Sequence, residues 1–156
     1  MIVAIGMDPG PTPGIVQLTY AGTGVLLDVK VIQCSANCAL DLLEVLFAAT
    51  PPAAWVGFGV EKFVIGRGSY RSGSAGARTR DMVGSAQVLA MTHGVHVATR
   101  SASEVKAWAL DKRLAEAGLI APTKGMQHAR DAARHALYTA VADGKVPDPL
   151  SRRVRT

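Results

Sequence analysis

Hydrophobic positions fall into short unbroken runs in the first third of the chain and into helically spaced sets further on. The opening IVAIGM is a continuous apolar run stopped by Asp8-Pro9-Gly10, the pattern of a buried strand that ends in a turn. GIVQLTY and VLLDVKVI follow, separated by Ala21-Gly22-Thr23-Gly24, a connection of hairpin length. These three runs predict an antiparallel meander. Between Asn37 and Ala49, Leu40, Leu43, Leu46 and Phe47 recur at helical spacing, and Thr50-Pro51-Pro52 closes the helix. Trp55 to Val60 is again strand-like and ends at Glu61, after which the polar, Gly-rich GRGSYRSGSAG predicts a mobile loop.

Beyond that loop, Arg78 to His93 reads as a helix with Met82, Ala86, Leu89 and Ala90 on one face, and HVAT after Gly94 reads as a strand. Ser103 is placed to cap a helix running to Ala117, with Gly118 past its end. The last helix is expected from near Thr123, through HARDAARHALYTAVA, to Gly144. A meander leading into alternating helices and strands predicts an α/β fold: a mixed five-stranded sheet covered by helices on both faces. The expected domain spans residues 1–144, followed by a basic C-terminal tail over 145–156.

Length and composition narrow this further. A chain of 156 residues suits one core. With 49% hydrophobic and 19% charged residues and a mean hydropathy of +0.21, disorder is excluded as the default state. No apolar run approaches the roughly 18 residues that span a bilayer, and MIVAIGMDPG lacks a basic leader and a cleavage site. The expectation is a cytoplasmic protein with no membrane partner. Cys34 and Cys38, the only cysteines, suit reduced thiols and not a disulfide or zinc framework.

Charge is distributed unevenly. Residues 1–61 carry one base and five acids, residues 62–113 nine bases and three acids, and residues 114–156 seven bases and four acids, for a total of +5. An acidic beginning beside a basic middle suits a protein that grips a polyanion while keeping carboxylates inside its site.

Three acids are candidates for that site. Asp8 follows the first strand at once, although Asp-Pro-Gly is also good turn chemistry. Glu61 ends an apolar strand where a lone carboxylate is costly unless paired or bound to metal. Asp131 lies in the strongest helical pattern, with His128 at i−3 and His135 at i+4 on the same face. Acids at strand ends and on a late helix can meet in the crevice of an open sheet. Carboxylates with an imidazole and no thiolate select hard ions such as Mg²⁺, with Mn²⁺ as a substitute. Two such ions about 3.5–4 Å apart serve in-line phosphoryl displacement, so the implied chemistry is phosphodiester hydrolysis.

These residues resemble a known family. Ile5-Gly6-Met7-Asp8-Pro9-Gly10 with Gly14 resembles the first-strand motif of RuvC-type Holliday-junction resolvases, members of the RNase H-like superfamily. Val60-Glu61-Lys62-Phe63 resembles the second acidic motif, Ser103-Glu104-Val105-Lys106 the segment with a DNA-contacting lysine, and His128-Ala129-Arg130-Asp131-Ala132 the final helical pair. The resemblance implies an RNase H-like fold and a metal-dependent endonuclease for branched DNA, acting as a homodimer through the helix from Arg78 to His93. It implies that Asp8 bridges two Mg²⁺ ions, with Glu61, His128 and Asp131 completing the site. His135 replaces His128 in an alternative alignment of this helix. Phe63 or Tyr70 would stack on bases, and Arg67, Arg71, Arg78, Arg80 and Lys106 would contact phosphates. An RNase H-like nuclease for structured RNA and a module that binds branched nucleic acid without cutting it share most of these features.

Overall fold

The computed structural model describes residues 1–63 and 73–151. Five strands form one sheet: β1 (Ile2–Asp8), β2 (Gly14–Tyr20), β3 (Leu26–Gln33), β4 (Trp55–Glu61) and β5 (His96–Arg100). Their order is β3-β2-β1-β4-β5, with β1 to β3 antiparallel and β4 and β5 parallel to β1. The expected meander and mixed five-stranded sheet are present.

Period-two alternation splits the core into two layers. On one face Val3, Ile5 and Met7 of β1 and Phe58 and Val60 of β4 pack against α1 (Ala39–Ala48) and α2 (Gly73–Thr92). There Phe47 meets Phe58 edge to face at 5.5 Å. On the other face Ala4, Val16, Leu18 and Tyr20 lie under α5 (Gln127–Ala142). The inward face of α5 is built from Ala129, Ala132, Ala133, Ala136 and Ala140, so the helix axis comes close to the sheet. It comes so close that Gly6 and Gly14 lie directly against the α5 backbone.

Three boundaries differ from expectation. Gly73 to Gly76 belong to α2, while residues 64–72 of the expected loop lie outside the described residues. The single helix expected from Ser103 is two: α3 (Ala102–Trp108), capped by Ser101, whose Oγ accepts from the Glu104 N–H, and α4 (Asp111–Glu116). The chain breaks at Ala109 and Leu110, where the Ala109 carbonyl accepts from Arg134 Nε and the Trp108 carbonyl from Arg113 Nη1. Those side chains replace helical donors, which makes the break affordable in a way that periodicity alone cannot show. The last helix starts at Gln127, because Thr123 is buried in the preceding turn with its hydroxyl donated to the Leu119 carbonyl. Among the described residues, no helix is long and apolar enough to cross a membrane.

Candidate active site

Alternation along two neighbouring strands brings the first two acids together. On β1 the even positions face α5, and on β4 the odd positions do, so Asp8 and Glu61 project from the same ends of adjacent parallel strands onto one face. The two carboxyl groups stand close enough for each to shift the other's titration. Asp8 is buried and Glu61 half-buried. His128, in the first turn of α5, donates from Nδ1 to Asp8 Oδ2 at 2.8 Å. Gly14 makes this possible, since a Cβ there would lie 2.2 Å from the His128 carbonyl.

Asp131, one turn further along α5, is also buried, but its partners are cations. Lys106 Nζ stands 3.0 Å from Oδ2, and Arg134 Nη1 donates to Oδ1 at 2.5 Å. His135 points inward at 3% exposure, with its backbone carbonyl against Gly59. Of the two histidines, His128 is therefore the one that meets Asp8.

Electrostatics mark the acid pair. Burial raises the Asp8 carboxyl above its ordinary value, with the His128 hydrogen bond pulling the other way. Burial, followed by the charge of Asp8, pushes Glu61 up to about 7. Burial likewise drives His135 down to about 4, so its ring is neutral. A pair of carboxylates forced together in this way favours a positive charge between them, and two oxygens beside an imidazole fit a hard divalent ion. Asp131 faces Lys106 and Arg134, and among the described residues no three His, Cys, Asp or Glu side chains are already grouped as a metal site.

The raised Glu61 has a consequence for stability. Its carboxyl binds a proton more tightly in the folded chain than in the unfolded one, where the value is 4.5. The Glu61 contribution to stability should therefore be lost as pH rises from about 4.5 through about 7, while buried His135, held at about 4, contributes the opposite change between about 4 and 6.5. The two oppose each other in the wild type, so Glu61→Gln should leave thermal melting in chelator rising more steeply with pH than wild type over this window; an unchanged profile would remove Glu61 from the linkage.

The other candidates are more dispersed. Phe63 lines a cleft of about 370 Å³ with Pro9, Glu61, Lys62 and Ser103. Arg78 and Arg80 are exposed on α2, Arg80 3.6 Å from Asp81. Arg67, Tyr70 and Arg71 lie outside the described residues. Lys106, expected at phosphate, is in the site on Asp131. Arg134, which holds Asp131, is not among the residues that the sequence singles out. Its position at i+3 from Asp131 was the available signal.

A mixed sheet of this strand order, with acids at the ends of β1 and β4 and a late helix across one face, is the RNase H-like architecture. No protein-family model matches the chain, and no curated protein is similar to it in sequence. Among solved structures it is similar to Thermus thermophilus RuvC in complex with Holliday junction substrate, with a TM-score of 0.64 and 21% identity over 96% of this chain and 100% of that one. It is likewise similar to a second Thermus thermophilus RuvC structure, with a TM-score of 0.60 and 24% identity over 95% and 99%. At these identities the likeness is one of fold, and it extends over nearly the whole chain.

Proposed function

We propose that this chain is a divalent-metal-dependent endonuclease for branched DNA. The observation that carries the reading is the Asp8–Glu61 pair with His128 on Asp8, set in a fold similar to a RuvC captured on a Holliday junction. Asp8 and Glu61 would hold the ion, and His128 would act through its hydrogen bond to Asp8 Oδ2. A bound divalent ion supplies charge neutralisation at the phosphate and a more acidic water. His128 fixes one oxygen of Asp8 and so orients the other. Glu61, at the edge of the cleft beside Phe63, has room for water next to it and, once ionised, accepts a proton from that water. Phe63 and Tyr70 offer stacking surfaces for unpaired bases, and Lys106, Arg67, Arg71, Arg78 and Arg80 offer phosphate contacts.

A homodimer fits the same reading. Val88 and Met91, both 60% exposed on α2, form an apolar face beside Gly84 and Ser85, and a twofold pair would give one cut to each of two symmetric strands.

The deciding experiment offers the full chain a synthetic four-way junction, a linear duplex and structured RNA in Mg²⁺. Cleavage of the junction above the other two is expected. Preferred cleavage of the RNA, or junction binding without cleavage, would replace this reading with an RNA-processing nuclease or a binding module respectively. Junction affinity should also fall steeply with salt, by about 0.9 in the log–log slope for each phosphate neutralised. The double substitution Arg78→Ala with Arg80→Ala should lower that slope by up to about two. An unchanged slope would remove α2 from the DNA path.

A further inference from the structure

The break between α3 and α4 opens a groove beside the acid centre. Leu110, in extended conformation just before α4, stands 55% exposed on one wall. The turn before α5 forms the other wall, where the chain passes through Gly125 at φ 77° and sets a half-buried Met126 against the groove. The groove holds about 800 Å³, within the range of a small-molecule pocket. It adjoins the acid pair, because Asp131 lines it and the charge of Asp131 acts on both Asp8 and Glu61. Its cations are Lys106, Arg130 and Arg134, and its acids are Asp111 and Asp131. Lys106 and Arg134 are both paired with Asp131, and Arg134 also reaches Asp111. That leaves Arg130 as the unbalanced charge. Among the described residues its guanidinium is engaged only through Nε, with the Thr123 hydroxyl at 3.4 Å.

Apolar side chains beside an unbalanced guanidinium are poorly matched to the outside of a duplex, which presents phosphates and sugars to a wall and base edges only in its grooves. They match an unstacked nucleotide, whose base offers a face to apolar side chains and to an arginine plane, and whose phosphate offers the arginine an anion. Such a base costs least where a strand has already left its helix, at a branch point. We propose that the groove between Leu110, Met126 and Arg130 holds an unpaired nucleotide of the branched DNA, next to the strand held at Asp8 and Glu61, and that this contact selects branched DNA over linear duplex. The inference rests on the proposed nuclease reading for the identity of the substrate. Leu110 and Arg130 set specificity in it and take no part in the chemistry.

The test uses the full chain and a synthetic four-way junction carrying 2-aminopurine at each position around the branch point in turn, in chelator so that no strand is cut. The fluorescence of this base rises when it leaves the stack. Wild-type protein should raise it at a position beside the branch, and Leu110→Ser should abolish the rise. The same variant should lower the ratio of junction to duplex affinity about tenfold, the effect of losing one stacked base. Arg130→Gln should lower that ratio too and also reduce the salt slope by about one, which Leu110→Ser should leave as it is. Circular dichroism checks that both variants fold; if Arg130→Gln does not, Leu110→Ser decides alone, its side chain being exposed. A wild-type complex in which no base at the branch unstacks would overturn the proposal. So would a Leu110→Ser protein that keeps the wild-type ratio or loses junction and duplex affinity equally. A chain that cuts junctions with every branch-point base still stacked would refute this proposal and leave the nuclease standing. A chain that unstacks a base through Leu110 and cuts nothing in Mg²⁺ would do the reverse, and one that binds junction and duplex equally would overturn both.

Discussion

Asp8→Asn should lower junction cleavage by about three powers of ten or more, because a divalent ion contributes several kcal/mol to phosphoryl transfer and each 1.36 kcal/mol is tenfold in rate. The amide keeps the shape of the carboxyl group at the end of β1 and removes the charge that makes the pair with Glu61 attractive to a cation. Junction binding should survive, since the phosphate contacts proposed for it come from other residues. The charge of Asp8 is also the second cause of the raised Glu61, so the variant should bring that carboxyl back toward its ordinary range and relieve a repulsion the folded chain now carries. An equal or higher melting temperature with lost activity is the expected combination. Single-turnover cleavage in Mg²⁺ beside a gel-shift in chelator measures both halves. Near-wild-type cleavage would place the chemistry away from Asp8.

The largest structural effect is expected from one methyl group. A Cβ on Gly6 would lie 2.1 Å from the Ala132 carbonyl oxygen and 2.4 Å from the Ala136 nitrogen, both backbone atoms of α5. No side chain can move aside there, so the whole helix must lift from the sheet. That would open the alanine-lined layer and draw His128 away from Asp8. Gly6→Ala should therefore cost at least about 3 kcal/mol, the upper end for overpacking. For a chain of this size, that corresponds to a fall in Tm of about 6–12 °C. Gly22→Ala, with nothing within 4 Å of its Cβ, should stay within about 1 kcal/mol of wild type. Equal melting temperatures for the two variants would mean that α5 does not sit as close as its alanines imply.

Much of this architecture could be read from local pattern. The run IVAIGM, the spacing of GIVQLTY and VLLDVKVI, and the Trp55 to Val60 run specify strands through burial period and turn residues, which are short-range properties of a chain. Asp8 and Glu61 could be found in the same way, because each ends an apolar strand and a carboxylate in that position calls for an explanation. Helix limits were less accessible. The gap at Ala109 depends on an arginine 25 residues away accepting the role of donor, and the start of α5 depends on a threonine turned to the Leu119 carbonyl.

Sequence alone determined that the acids stand at strand ends and that His128, Asp131 and His135 share a helix face, since both follow from the fixed periods of strand and helix. Only the tertiary structure decided how that helix is rotated against the sheet. The rotation turns His135 inward over Gly59 and brings His128 to Asp8, although spacing along the helix treats the two alike. It also assigned Asp131 to Lys106 and Arg134, which are 25 residues before it and three after it. A carboxylate on a helix face can serve a metal or a cation equally well by local pattern, and which one reaches it is set by the element packed alongside.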